Sequence, residues 1–324
     1  MRAARLTAAL AATLLALPAV AGCVGDDGAG DPWDGQRPDA LTVATGGSTG
    51  IYHAYGTALA QVLEDRYDLP VEVDESGGSV ENLESLDAGS AQVAFSAADA
   101  ARDAVAGEGD FDEPLEVRAL ARVYDDFLHL VVPADSDVRT IDDLRGKKVS
   151  LGAPQSGTAL IAHRLLAAAD VPSADLTDAR LGLDASLEAL RTGEIDAFFW
   201  SGGLRTPGLT ALADDVPVRL VPLGDLVEEV RSRYGSGYRH GIVPEGMYGS
   251  SRVVETLAVP NFLMVRADMP EAEARTLVST LFDARGQIAA QVPSAANLDR
   301  VRAIFTDPVE LHPGALRYYR DTKD

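Results

Sequence analysis

The sequence predicts an α/β protein of two similar lobes, from three observations. From residue 41 onward, apolar runs of four or five residues alternate with segments of helical period, the pattern of a largely parallel sheet flanked by helices. That alternation restarts after residue 140. The chain has 324 residues, which fits two domains of about 100–200 residues, each able to bury a core without disulfides.

The first residues read as an export signal. Arg2 and Arg5 precede an apolar stretch over residues 6–20, and Ala21 and Gly22 precede Cys23, the only cysteine. The stretch is short of the roughly 20 residues that a membrane span needs. Val20-Ala21-Gly22-Cys23 is similar to a bacterial lipobox, which implies lipidation of Cys23 and a chain lipid-anchored to the outer face of the bacterial cytoplasmic membrane. Residues 1–22 are then the lipoprotein signal peptide. Residues 23–40 are acidic and Gly/Pro-rich and read as a flexible tether.

Residues 41–45 form a short strand, the loop Gly46-Gly47-Ser48-Thr49-Gly50 follows, and Tyr55, Leu59, Val62 and Leu63 mark one helix face. Residues 71–74 are a strand, and Ser79 opens a helix that ends at Gly89. Residues 92–96 are a strand and 97–106 a helix. Two strand-like runs, 117–124 and 127–133, are separated by Asp125 and Asp126. In the second series Thr140 caps a short helix with Asp143 as its capping-box partner. A strand over 148–151 leads through Gln155-Ser156-Gly157-Thr158 into a helix, and Asp184 caps another. Residues 195–200 and 218–223 are buried strands. Residues 234–252 show no periodicity, and the apolar run 256–265 is broken by Pro260. Helical patterns close the chain. With crossings near residues 127–133 and 256–264, residues 41–130 plus 259–324 form lobe 1 and residues 131–258 form lobe 2.

The net charge of -22, with 28 basic and 50 acidic residues, argues against nucleic acid as a partner. The five histidines show no metal-ligand or triad spacing, so the reading is a protein with no metal, no cofactor and no catalytic residues. Both Gly/Ser/Thr loops sit between a strand and a helix, where backbone N–H groups and the helix dipole hold anions. Neither carries the lysine of a phosphate-cradling loop. Asn82 and Glu81, in the first turn after Ser79, can donate to a carboxylate and accept from an ammonium. Arg205, after a buried strand, can pair with a carboxylate. Tyr52, Tyr124, Tyr238 and Tyr248 can wall a pocket. Residues 46–50 also spell G-x-S-x-G, with Ser48 in the nucleophile position of a serine hydrolase, but only one strand precedes them.

The segments LTVATGGSTGIYHAYGTALA, SGGSVENLESLDAGSAQVAFSAADAA, LHLVVPADSDVRTIDDLRGKKVSLGAPQSGT, LRTGEIDAFFWSGGLRTPGL and LHPGALRYY occur in that order. Together they resemble the TAXI-type solute receptors of tripartite ATP-independent periplasmic (TRAP) transporters, over residues 41–319. The resemblance implies a type II periplasmic-binding-protein fold, two α/β lobes around a hinge and a ligand cleft. It implies a non-enzymatic receptor that delivers a small organic anion, a dicarboxylate or an acidic amino acid such as glutamate, to membrane permease subunits driven by an ion gradient. The contacts it implies are Gly47, Ser48, Thr49, Tyr52, Ser79, Glu81, Asn82, Ser96, Gln155, Ser156, Gly157, Thr158, Gly202 and Gly203. Gln155, Arg205 and Asn261 depart from the family pattern, and Arg205 is expected to add an anion contact. The rival readings are a receptor for an ATP-driven importer, a sensory receptor, and a secreted serine hydrolase using Ser48.

Overall fold

Two long antiparallel strands join two series of short parallel ones. The computed structural model describes residues 32–323, so the expected signal segment and Cys23 lie outside the described residues. The first series comprises β1 (Leu41–Ala44), α1 (Ile51–Tyr67), β2 (Val71–Asp74), α2 (Ser79–Asp87), β3 (Val93–Ala97) and α3 (Ala98–Ala106). The long β4 (Val117–Pro133) leaves it. The second series holds β5 (Lys148–Ser150), α4 (Gly157–Ala168), β6 (Thr177–Asp178), α5 (Leu183–Arg191), β7 (Ala197–Gly202) and α6 (Pro207–Asp215). It continues through β8 (Val218–Val221), α7 (Val227–Tyr234) and β9 (Arg239–Val243). The long β10 (Val254–Arg266) returns, followed by α8 (Glu271–Asp283), α9 (Arg285–Gln291), α10 (Arg300–Ala303) and α11 (Pro313–Asp321).

The strand order is β2-β1-β3-β10-β4-β7-β5-β6, with β8 on β4 and β9 on β10. Pairing is parallel within β2-β1-β3 and within β7-β5-β6, and antiparallel wherever β4 or β10 takes part. The class is therefore α/β, as the alternating pattern predicts. The C-terminal helices pack back on the first series: Leu277, Leu281 and Ile288 share a core with Leu59, Leu63 and Phe95.

Four local expectations are corrected. The runs 117–124 and 127–133 are one strand, because Asp125 and Asp126 are held in the ladder opposite Pro260 and Val259. Pro260 does not break β10. Its N–H-free edge falls where the neighbouring strand changes, since β9 pairs up to Ala258 and β3 begins at Asn261. The aperiodic 234–252 segment contains β9, which pairs with Val254–Ala258 of β10. Asp184 does not cap α5, whose N-cap is Gly182.

The tether expected over 23–40 is not free along its whole length. Trp33 is 3% exposed and meets the Tyr67 ring edge-on at 5.2 Å between centroids. The carbonyl of Pro32 accepts from Thr276 Oγ1. Composition marks this stretch as polar, but burying one indole outweighs its Gly/Pro-rich neighbours. Trp33→Ala is expected to lower the unfolding free energy by roughly 3 kcal/mol, read as a lower urea midpoint at unchanged slope.

Candidate functional site

A cleft of about 270 Å³ lies between the two series. Its walls are largely the first turns of helices. Ile51 and Tyr52 of α1, Ser79 of α2, Gly157 and Thr158 of α4, and Leu183, Asp184 and Ala185 of α5 all line it. The first N–H groups of a helix have no carbonyl within it, so each terminus carries a partial positive charge and offers donors wherever no outside carbonyl takes them. Among the residues lining the cleft none is Lys, Arg or His.

Of the residues predicted as contacts, Gly47, Tyr52, Ser79, Ser156, Gly157, Thr158 and Gly202 line this cleft. Tyr52 Oη donates to Asn261 Oδ1 and lies 3.2 Å from Ser79 Oγ, which accepts from Ala97 N at 3.0 Å. Ser156 caps α4, its Oγ accepting from Ala159 N at 3.0 Å. Thr158 Oγ1 accepts from Ser201 N at 3.1 Å. Gly157 must be glycine for the two walls to meet. A Cβ there would fall 2.7 Å from Ser79 Oγ.

The other predicted contacts serve the frame. Ser48 Oγ donates to Asp184 Oδ2 at 3.0 Å, and Thr49 Oγ1 donates to Asp184 Oδ1, clasping the first loop to α5. Ser48 thus meets a carboxylate rather than an imidazole. Asn82 is fully buried and bridges the carbonyls of Thr45 (2.6 Å) and Phe95 (2.8 Å). Glu81 accepts from Gly77 N at 2.6 Å. Ser96 is buried and donates to the Ala97 carbonyl at 3.1 Å. Gln155 takes a left-handed backbone (φ 59°), which turns its carbonyl onto the start of α2 to accept from Val80 N and Glu81 N, both at 3.1 Å. Gly203 packs against Tyr124 and Ile51. Arg205 is exposed and lines a different cavity, so it is not a contact of this cleft.

Sequence reasoning missed the floor. Asp126 of β4 lines the cleft at 4% exposure. Ser201 Oγ lies 3.4 Å from its Oδ2, while Oδ1 has no hydrogen-bond partner among the described residues. Burial, reinforced by the charges of Asp125 and Asp99, pushes its pKa up from 3.8 to about 8. Burial also raises the neighbouring Tyr52 and Tyr124 hydroxyls. Trp200 completes the wall and donates from Nε1 to Thr206 Oγ1 at 3.0 Å. Only the side-by-side placement of β4 and β7 distinguishes Asp126 from the other acidic residues. The native Asp126 carboxyl holds its proton more tightly than the unfolded one. Its contribution to stability is therefore complete below about pH 4 and is lost as pH rises through about 8. Asp126→Asn removes that loss, so its thermal midpoint gains on the parent between those pH values and stays ahead at pH 9.

The architecture is similar to several solved structures. A Bordetella bronchiseptica protein aligns with TM-score 0.52 at 18% identity, covering 87% of this chain and 89% of that one. A putative L-cystine ABC transporter from Listeria monocytogenes gives 0.51 at 14% identity, with coverage of 81% and 98%. The ligand-binding component of an ABC-type import system from Staphylococcus aureus, solved with zinc bound, gives 0.50 at 9% identity, with coverage of 87% and 90%. At these identities the likeness shows the fold, that of two-lobed periplasmic binding proteins. The family model described as NMT1-like matches residues 43–322, nearly every residue of both series and the C-terminal helices, and the chain belongs to the NMT1-like family.

Proposed function

We propose that this protein is an extracytoplasmic solute receptor of the TAXI type, which captures a small organic anion between its lobes and hands it to an ion-gradient-driven TRAP permease. One observation carries the ligand class: the cleft is walled by the first turns of α1, α4 and α5, with no basic side chain among the lining residues. Backbone N–H groups and hydroxyls then do the work of a cation toward a carboxylate. Asp126 does not oppose this. With its pKa pushed up to about 8, it is largely uncharged near neutral pH and offers an O–H donor. The lobes are residues 41–130 plus 259–324 and residues 131–258, moving about β4 and β10. Residues 1–22 direct export, and the lipid on Cys23 holds the receptor at the membrane. The reading is of a binding protein, not an enzyme.

The Listeria protein is named as a putative L-cystine ABC transporter, and the Staphylococcus protein as the ligand-binding component of an ABC-type import system. Delivery to an ATP-driven importer is accordingly the second reading. Uptake by the receptor reconstituted with its membrane permease separates the two. Collapse of the ion gradient abolishes uptake in the first reading, and removal of ATP abolishes it in the second.

The ligand class is tested by thermal shift on the Cys23→Ser protein, unfolded and refolded to strip carried solute. The panel holds dicarboxylates, acidic and neutral amino acids, sugars and phosphate. One acid at about 100 times its Kd should add about 2.7 kcal/mol, a midpoint rise of roughly 5 °C. The rise should shrink above pH 8 as Asp126 ionises, and Gly157→Val, which keeps the walls apart, should abolish it. A shift from a sugar alone, or one indifferent to Gly157→Val, would overturn the reading.

A further inference from the structure

A second cavity, of about 360 Å³, lies behind the cleft against residues 122–125 and 127 of β4. Tyr124 borders both cavities, and strand alternation separates them at residues 125–127. Asp126 turns to the cleft, while Asp125 and Phe127 on either side of it line the second cavity. The loop after β7 contributes Leu204 and Arg205, and the segment around α10 contributes Ser294 and Arg302.

Guanidinium groups gather here beyond what the carboxylates neutralise. Arg122 donates to both oxygens of Asp125, at 2.7 and 3.0 Å, and Arg239 reaches the same carboxylate at 2.9 Å. Asp299 is engaged in capping α10, accepting from Val301 N and Arg302 N at 3.1 Å each. Among the described residues Arg205 and Arg302 have no ion-pair partner, in a chain of net charge -22. Burial lowers the Arg239 pKa, and the charges of Arg122 and Arg302 lower it further against the pull of Asp125. Ser294 supplies an independent sign of a ligand. It lines the cavity at 8% exposure, and its hydroxyl has no hydrogen-bond partner among the described residues.

We propose that this cavity is a second binding site, for a small multivalent oxyanion (a di- or tricarboxylate, or phosphate) held by Arg205, Arg302 and the Ser294 hydroxyl. Guanidinium forks match the paired oxygens of carboxylate and phosphate. Leu204, Phe127 and Met247 give the apolar wall that strengthens such contacts by excluding water. Arg205 thus keeps the anion-binding role its chemistry predicts, at a different place from the one expected.

Selenate soaked into crystals of the Cys23→Ser protein locates the site. The expected result is an anomalous peak within hydrogen-bonding reach of Arg205 and Arg302. Calorimetric titration with citrate and with inorganic phosphate, at ionic strength held by sodium chloride, gives the affinity. In the Gly157→Val background, which removes cleft binding, the added Arg205→Ala/Arg302→Ala double change should weaken binding roughly tenfold or more relative to Gly157→Val alone. A selenate peak confined to the cleft, equal affinity with and without the double change, or no binding of either anion would each overturn the proposal. If the variant carrying all three changes fails to fold, the soaked parent crystals and the Gly157→Val titration still decide.

Discussion

The antiparallel pairing of β4 with β10 runs from Val117 opposite Arg266 to Phe127 opposite Ala258, and everything else hangs from it. Each strand is long enough to serve both halves of the sheet. β10 pairs with β9 at one end and β3 at the other, and β4 takes β7 and β8 beyond Phe127. The stretch between these partners is where an edge is open. Pro260 is tolerated there, and Asp126 is free there to face the space between the two series. The same alternation that sends Asp126 into the cleft sends Asp125 to the opposite face. One strand segment therefore floors two cavities of different electrostatic character.

The series share an apolar core, in which Val80, Leu83 and Ala101 belong to one cluster with Ile161, Leu165 and Phe199, and a specific polar network adds to it. Arg164 of α4 donates from Nη2 to Asp103 of α3, and from Nη1 to Tyr238 Oη at 2.9 Å. Tyr238 Oη donates in turn to Asp99 Oδ2 at 2.8 Å. Burial raises the Asp99 carboxyl, and the Arg164 charge opposes that rise. Losing one member of such a network leaves an uncompensated buried charge, at a typical cost of 3–5 kcal/mol. The Ser48–Asp184 and Thr49–Asp184 bonds and the Gln155 carbonyl on α2 make further bridges. These bridges use backbone and hydroxyl groups beside the helix termini. The termini of α1, α4 and α5 keep first-turn N–H groups for a ligand, whereas Gln155 takes those of Val80 and Glu81 at the start of α2.

The three positions expected to depart from the TAXI pattern gain a physical account. Gln155 and Arg205 both adopt left-handed backbones, at φ 59° and 64°. At Gln155 the conformation turns a carbonyl onto the start of α2. At Arg205 it accompanies a side chain on the wall of the second cavity. Asn261 lies beside the cleft floor, accepting from Tyr52 Oη. Each of the three is thus a local solution to placing a polar group between or behind the two series.

The sequence by itself determined the α/β class, the restart of the pattern in a second series, and the two Gly/Ser/Thr loops that open α1 and α4. Those features are local: hydrophobic period, caps and turn residues act within a few positions of themselves. Of the residues expected to touch a ligand, Gly47, Tyr52, Ser79, Ser156, Gly157, Thr158 and Gly202 line the cleft. All but Gly47, which sits in the loop between β1 and α1, lie at helix starts or strand ends, where local pattern is strongest. Only the tertiary structure decided that Asp126 floors the cleft, that Arg205 lies behind it, that Trp33 is in the core, and that Ser48 and Thr49 hold Asp184. Those outcomes depend on which strands become neighbours across more than 70 residues, as with Asp126 and Ser201. Propensity along the chain is blind to such pairings, because the energy that fixes them comes from burial and hydrogen bonds made only once the two long strands have met.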